Sequence, residues 1–381
     1  MGWGLSPLGC CPLEYCEVAA LVLERLLQAA AQPDATFEVS AVVSQPGRPK
    51  GRGNKKVPQP SEVEQLARAS GLQQHQILCP EKATDKQFLE CLRQLGPDLC
   101  VTAAYGNYLP TAFLAIPRHG TLNIHPSLLP KYRGAAPAQR ALQDGAEWTG
   151  VSLLYTVKEM DAGPVLAQKK VKVDPDIQAP EFLKELFTIG ADLLLDYLEL
   201  VWAGMAAKTA VAQDSSQATH AAKIGREEAA LDFSRPALEL HNQVRAFAGW
   251  PGTTATFTVR TLEGEGARSS AGNGSRDSSG SGSGTGELLE LKIVRTRVAS
   301  QSALRGGGGG SSSGGNSQQV VAGKDGMFIR CGDGSVLEVL EVQVPGKKVA
   351  TAKDFANGLN GRVLEWQEQQ QQAAAETAPA P

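Results

Sequence analysis

Apolar residues in the first half of the chain recur at helical spacing, and short apolar runs of strand length separate these stretches. The long stretch 180–202 also carries six charged residues, so it predicts an amphipathic helix. Strands that alternate with helices at this spacing predict a parallel α/β sheet. The predicted helices are about 17–32, 61–70, 85–95, 136–144 and 180–202, and the predicted strands are about 37–43, 76–79, 99–104, 151–157 and 165–173.

The second half has a different pattern. One helix, at about 237–247, is followed by β-type runs separated by turns, which predicts a small barrel or sandwich. Two Gly/Ser tracts and the tail bury too little apolar surface to offset their ordering entropy, so we expect disorder there. We therefore predict a first domain at 1–203, a linker at 204–222, a β-barrel domain at 223–365 with Gly/Ser tracts at 264–286 and 306–316, and a disordered tail at 366–381.

Length and composition limit the possible function classes. A chain of 381 residues has room for about two domains, and its formal net charge of −3 gives no general attraction to nucleic acid. The seven cysteines include no Cys-x-x-Cys pair, which argues against a structural zinc site and a disulfide framework and fits a reducing compartment. The first 24 residues contain no Lys or Arg, unlike a secretory signal or an Arg-rich transit peptide.

One loop concentrates positive charge. Between the strand at 37–43 and the next helix, five cations and no acid stand on a Gly/Pro-rich backbone. Such a loop is either a solvated surface segment or a place where a phosphate backbone binds, and both interpretations stay open on the pattern alone. No G-x-G-x-x-G follows a strand, so a dinucleotide is not expected. The five cations are Arg48, Lys50, Arg52, Lys55 and Lys56.

A short strand ends on an amide and an imidazole. Leu122 and Ile124 alternate with Asn123 and His125, so the two polar side chains share one face of the strand. Pro126 then stops the strand. This arrangement is either a catalytic edge or an ordinary strand end with two solvated polar groups.

A carboxylate in a later turn completes a possible catalytic set. Asp161 lies between two predicted strands and precedes Ala-Gly-Pro. An amide can donate to an oxyanion, an imidazole can exchange a proton near neutral pH, and a carboxylate can orient the imidazole. Such a set suits acyl transfer between two nitrogen atoms without a Ser or Cys nucleophile. The alternatives are a structural histidine and an aspartate that serves only the turn.

Several motifs decide among these alternatives. Asn-Ile-His-Pro-Ser-Leu-Leu-Pro at 123–130, Arg-Gly-Ala-Ala-Pro at 133–137 and Met-Asp-Ala-Gly at 160–163 resemble the folate-dependent formyltransferase family. Val-Ser-Gln-Pro-Gly-Arg-Pro-Lys-Gly-Arg-Gly at 43–53, Ala-Lys-Ile-Gly-Arg-Glu-Glu-Ala at 222–229 and Pro-Gly-Lys-Lys at 345–348 resemble the branch that formylates methionyl-tRNA. The resemblance covers about residues 15–260 and 320–360.

The resemblance implies a fold, a reaction and a set of site residues. The fold would be a Rossmann-like formyltransferase domain followed by an OB-like β-barrel that binds tRNA. The reaction would transfer the formyl group of 10-formyltetrahydrofolate to the α-amino group of initiator methionyl-tRNA, without a metal, by a monomer that supports translation initiation. By this resemblance Asn123, His125 and Asp161 would be catalytic, Ser127, Leu128, Leu129 and Pro130 would bind folate, and Arg48, Arg52, Lys55, Lys56, Lys223 and Arg245 would bind tRNA.

The chain departs from the family pattern in two places. The family begins with a strand and a Gly-Thr-Pro-x-Phe-Ala turn, whereas Cys-Cys-Pro-Leu-Glu-Tyr-Cys stands here before the first helix, so we expect a gap in the sheet. The Gly/Ser tracts favour a eukaryotic source, hence a mitochondrial or plastid location, with a bacterial cytoplasm as the alternative. Other functions that stay open are formyl transfer to a purine precursor or an amino sugar, hydrolysis of the formyl donor, and an inactive tRNA-binding remnant.

Overall fold

The computed structural model describes residues 13–50, 57–261, 287–300, 319–323, 326–360 and 362–366. The chain divides into two compact units, Met1–Ile224 and Gly225–Pro381. In the part of the chain that the structure describes, no helix is long and apolar enough to cross a membrane.

The first unit contains α-helices and several separate β-sheets. Its helices are α1 (Leu13–Ala30), α2 (Glu62–Ala69), α3 (Lys86–Leu95), α4 (Thr111–Leu114), α5 (Pro137–Gln143), α6 (Ala179–Trp202) and α7 (Ala206–Thr209). Its strands are β1 (Val42–Val43), β2 (Arg48–Lys50), β3 (Val57–Gln59), β4 (Ile77–Leu78), β5 (Cys100–Ala103), β6 (Thr121–His125), β7 (Arg133–Gly134), β8 (Trp148–Tyr155), β9 (Val165–Lys172) and β10 (His220–Ala221).

The strand pairing confirms the predicted parallel sheet and extends it. β1 is parallel to β4 and β5 is parallel to β6, while β8 and β9 continue the sheet in antiparallel pairing, in the order β5-β6-β8-β9. The long helix α6 packs against β6 and β8. A Cβ atom at Gly190 of α6 would lie 2.3 Å from Ile124 Cγ2, so the absent side chain allows this close approach.

A cavity of about 620 Å³ lies between the two parallel strand pairs. It is lined by residues of β1 and β5 and by apolar side chains of α1 and α6. Among the described residues, β1 pairs only with β4 and β5 only with β6, so each has one strand edge without a partner strand. This is the position at which the sequence predicts a gap.

The segment predicted as a linker, 204–222, belongs structurally to the first unit. It contains α7, it forms an antiparallel bridge between Val211 and Val165 of β9, and its last residues form β10, which is parallel to β7. The polar composition of this segment concealed these short pairings, and the division between the units falls at residue 224 instead.

The second unit is a closed barrel, as predicted. Six strands close in the order β12-β11-β17-β13-β14-β15, with β12 paired to β15, and a seventh strand adds to β15. The predicted run at 320–331 is a two-stranded hairpin, and a closing strand at 362–366 had not been predicted. The elements are α8 (Ala237–Ala246), β11 (Thr253–Thr261), β12 (Glu287–Ala299), β13 (Gln319–Gly323), β14 (Gly326–Arg330), β15 (Val336–Gln343), β16 (Val349–Thr351), α9 (Ala352–Asn357) and β17 (Arg362–Trp366).

The barrel encloses an apolar core. Phe257, Leu291, Met327, Ile329 and Leu364 are among its fully buried side chains. The predicted disordered tracts 264–286 and 306–316 and residues 367–381 of the tail lie outside the described residues. Trp366, which the prediction placed in the tail, pairs with Phe257 in the sheet.

Candidate active site

Strand β6 carries two of the three predicted catalytic side chains. Leu122 and Ile124 are 0% and 2% exposed on the face that packs toward α6, so Asn123 and His125 share the opposite face. The two-residue period of the strand thus separates the packing side chains from the chemical ones, as the sequence predicted.

Asn123 is oriented by a neighbouring strand. Thr102 of β5 stands opposite it in the parallel register, and the Thr102 hydroxyl donates to Asn123 Oδ1 at 2.8 Å. Because this bond assigns the oxygen as the acceptor, the Nδ2 group is left as a donor. A fixed amide donor of this kind can stabilise an oxyanion without changing its charge.

His125 is buried and contacts a partner through each ring nitrogen. The residue is only 4% exposed, and its Nε2 lies 3.0 Å from the Tyr132 carbonyl oxygen. Since a carbonyl oxygen can only accept, Nε2 carries the proton and donates. Nδ1 lies 3.8 Å from Asp161 Oδ2. A proton taken up at Nδ1 would therefore lie beside a carboxylate oxygen.

Asp161 lies in the turn between β8 and β9, in an uncommon backbone conformation. Its φ angle is +51°, in the left-handed region. Its Oδ2 accepts from the Gly134 N–H at 2.9 Å. Gln213 Nε2 donates to the Asp161 carbonyl at 2.8 Å and to the Gly163 carbonyl at 2.7 Å. These bonds hold the turn so that the carboxylate faces His125.

The predicted folate-binding turn is fixed from its inner side. Ser127 is 0% exposed, and its hydroxyl donates to the Lys131 carbonyl at 2.7 Å. Ser152 Oγ donates to the Ser127 carbonyl at 2.7 Å and accepts from the Leu129 N–H at 3.0 Å. The Leu129–Pro130 peptide bond is cis. Ser127 therefore shapes this turn, while Leu128 and Pro130 are half-buried and Leu129 is buried.

Gln168 of β9 completes the support of this turn. Its Nε2 donates to the Leu129 carbonyl at 2.9 Å and to Ser152 Oγ at 2.8 Å. The Ser152 hydroxyl thus makes one donated and two accepted bonds, which is its full capacity. A saturated network of this kind favours one turn shape over its alternatives.

The predicted tRNA-binding residues differ in their surroundings. Arg52, Lys55 and Lys56 lie outside the described residues, and Arg48 lies on β2, which pairs with β3. Lys223 is exposed. Arg245 is 4% exposed, and its Nε donates to Asn242 Oδ1 at 2.9 Å within α8. A guanidinium buried in this way is not presented to a phosphate, so the structure does not support Arg245 as a direct RNA contact.

Three supporting groups were missed by the sequence reasoning. Thr102, the Tyr132 carbonyl and Gln213 each hold a predicted catalytic residue, yet each comes from a separate segment of the chain. The register of neighbouring parallel strands could have indicated Thr102. No local pattern marks Gln213. Among the described residues, no group of three or more His, Cys, Asp or Glu side chains is placed to hold a metal ion.

Two family models cover most of the chain. The Formyl transferase model matches residues 18–196, and the Formyl transferase, C-terminal domain model matches residues 223–360. A methionyl-tRNA formyltransferase of Myxococcus xanthus is 36% identical over 321 residues, which is 84% of this chain and 88% of the relative. The methionyl-tRNA formyltransferase of Moorella thermoacetica is 35% identical over 85% of this chain and 89% of the relative. The chain belongs to the methionyl-tRNA formyltransferase family.

Membership of this family makes the protein a formyl-transferring enzyme. The fold is also that of a sugar 3N-formyl transferase solved in the presence of dTDP and 5-N-formyl-THF, with a TM-score of 0.51 at 14% identity, over 87% of this chain and 95% of that one. At this identity the similarity supports the two-domain formyltransferase fold alone. Asn123, His125 and Asp161 all lie within the part matched by the first family model.

Proposed function

We propose that the protein transfers the formyl group of 10-formyltetrahydrofolate to the α-amino group of initiator methionyl-tRNA. The observation that carries the proposal is the placement of one oriented amide donor, Asn123, on the same strand face as an imidazole whose Nδ1 lies 3.8 Å from the carboxylate of Asp161. The tRNA as acceptor is supported by relatives that are named methionyl-tRNA formyltransferases and match along most of their length.

The proposed reaction is attack of an amine on a formyl carbon. The amine nitrogen forms the new C–N bond, the carbonyl electron pair moves to the formyl oxygen, and Asn123 Nδ2 donates to that oxyanion. His125 accepts the proton that the attacking amine loses, at Nδ1, where Asp161 stabilises the resulting charge. When the C=O bond re-forms, the old C–N bond breaks, and the leaving nitrogen of the folate takes the proton from His125.

The test is a formylation assay with purified protein and a panel of amines. Initiator methionyl-tRNA, an uncharged initiator tRNA, glycinamide ribonucleotide and an amino-sugar nucleotide are each supplied with 10-formyltetrahydrofolate. We expect formyl-methionine to form only with the charged tRNA. Formylation of a small amine without tRNA turnover would assign the site to another formyltransferase class. Formate release without any acceptor would indicate hydrolysis, and salt-sensitive tRNA binding without turnover would indicate an inactive remnant.

We also propose that the enzyme acts in a mitochondrion or plastid and as a monomer. The support for the location is the pair of Gly/Ser tracts at 264–286 and 306–316, because long insertions between barrel strands fit a eukaryotic source. Microscopy of the full chain carrying a C-terminal fluorescent protein tests the location. Light scattering tests the monomer.

A further inference from the structure

A single glutamine side chain joins the two chain segments that hold His125. Gln213 is half-buried and lies between α7 and β10, in the stretch that the sequence predicted to be a linker. The backbone near it is fixed to β9, because Val211 and Val165 exchange two hydrogen bonds of 2.8 Å. Its amide therefore extends from an anchored segment toward the site.

The amide of Gln213 uses its full hydrogen-bonding capacity. Nε2 donates to the carbonyl oxygens of Asp161 and Gly163, at 2.8 and 2.7 Å. Oε1 accepts from Nε and Nη2 of Arg133, at 3.0 and 2.7 Å. Two donated and two accepted bonds are all that a primary amide can make, so only one orientation of the side chain satisfies this site.

These bonds hold the two chain segments whose groups contact the ring nitrogens of His125. On one side, the Asp161 carboxylate faces Nδ1. On the other side, the Tyr132 carbonyl accepts from Nε2 and belongs to the residue directly before Arg133. The two segments also meet where the Gly134 N–H donates to Asp161 Oδ2.

The Asp161 turn requires such support. A non-glycine residue at φ +51° is in a sparsely populated conformation, which persists only where its surroundings enforce it. Gly163 adds a second constraint, since a Cβ atom there would lie 1.8 Å from the Tyr155 carbonyl oxygen. The two carbonyl oxygens that Gln213 binds are those of these two constrained residues.

We propose that Gln213 is a positioning residue for formyl transfer, which acts by holding the Asp161 turn against His125. The kinetic test of this proposal rests on the proposed function, because it measures formyl transfer. The spectroscopic test does not depend on that function. The competing explanation is a general contribution of Gln213 to stability, which would affect all properties of the folded protein equally.

The kinetic test uses Gln213→Met, which keeps the size of the side chain and removes all four bonds. Gln213→Glu is a second variant, which can still accept from Arg133 but cannot donate to the two carbonyl oxygens. The matched control is Gln217→Met, at an exposed glutamine of the same segment whose Nε2 donates to Asp214. We expect kcat for formyl transfer to fall about 10–100-fold in both Gln213 variants with KM values unchanged, because small displacements of reacting groups have effects of this size. The control should match wild type.

A double-mutant cycle separates positioning from stability. If Gln213 acts through Asp161, adding Gln213→Met to Asp161→Asn should change kcat by less than about threefold. An equal loss of kcat in both backgrounds, or wild-type kcat in Gln213→Met, would overturn the proposal.

The second readout is the ¹⁵N-resolved NMR spectrum of the imidazole rings, which is practical because the chain has five histidines. The Gln213→Met variant should shift the ring nitrogen resonances of His125, and Gln217→Met should leave them unchanged. An unchanged His125 spectrum in a folded Gln213→Met variant would overturn the proposal. If wild-type protein formylates no tRNA, the proposed function fails, and the spectrum alone then decides the role of Gln213.

Discussion

Replacement of Asp161 by asparagine tests the charge at the centre of the site. The substitution keeps size and shape but removes the negative charge that lies 3.8 Å from His125 Nδ1. Because the Gly134 N–H needs an acceptor, the new Oδ1 is expected to take that place. The oxygen in that place is also the one that lies 3.8 Å from His125 Nδ1, so a neutral amide oxygen then faces the nitrogen that should receive the proton.

The size of the effect follows from the distance and the burial. Two unit charges about 4 Å apart attract by about 4 kcal/mol at an effective dielectric constant near 20, which is an upper limit for the charge stabilisation lost. Both side chains are largely buried, at 5% and 16% exposure, so solvent screening is limited. The new amide offsets part of the loss. We therefore expect the rate of formyl transfer in Asp161→Asn to fall about 10²–10³-fold.

The assay is single-turnover formyl transfer with enzyme in excess over methionyl-tRNA, together with filter binding of the tRNA. The matched control is Asp144→Asn, at a residue that accepts from the Tyr132 hydroxyl and lies outside the His125 contacts. We expect wild-type rates in the control and unchanged tRNA affinity in both variants. A rate for Asp161→Asn within about threefold of wild type would show that the carboxylate does not stabilise charge on His125.

Three further predictions concern packing, ionisation and RNA binding. Gly190→Ala should lower the free energy of unfolding by about 1–3 kcal/mol in a urea titration, because its Cβ would lie 2.3 Å from Ile124 Cγ2, whereas Glu185→Ala on the exposed side of the same helix should change it little. Burial raises the pKa of the Cys100 thiol from 9.0 to about 12. The folded state therefore holds this proton more tightly than the unfolded state does. The contribution of the Cys100 proton to the free energy of unfolding should be complete below pH 9 and should be lost as the pH rises toward 12. Over this range the free energy of unfolding should fall less steeply in Cys100→Ala than in wild type. Arg52→Ala should raise KM for tRNA and reduce the salt dependence of tRNA binding, with KM for the folate unchanged; equal effects on both substrates would contradict a role in RNA binding.

The candidate catalytic residues could be proposed from the sequence because their signals are local. Asn123 and His125 lie two residues apart on one strand, and Asp161 lies in a turn-rich segment within a specific motif. The alternation of buried and polar positions then fixes which side chains share a face.

The supporting residues were not predicted, because they depend on strand register and on long-range pairing. Thr102 reaches Asn123 only through the parallel register of β5 and β6. Gln213 reaches Asp161 across 52 residues of sequence, from a segment whose polar composition resembles a linker. Arg245 illustrates the opposite error, since a charged residue in a family motif proved to be buried within its helix.

The long helices and strands of the fold were predicted from the sequence, whereas its short strands were not. Periodicity located α6 and the barrel strands, since these elements are long enough to show it. Two-residue strands such as β7 and β10 have no period, and they were found only through their pairing with each other. The closing strand β17 was missed because it is short and adjoins a Gln-rich tail.

The central claim is that His125 carries the proton in formyl transfer to methionyl-tRNA. The most direct measurement is the single-turnover rate of wild type and His125→Ala with 10-formyltetrahydrofolate and charged initiator tRNA, alongside tRNA affinity. We predict that wild type forms formyl-methionyl-tRNA and that His125→Ala is slower by about 10²–10⁴-fold with nearly unchanged tRNA affinity. Equal rates for the two proteins, or no formyl-methionyl-tRNA from wild type, would contradict the claim.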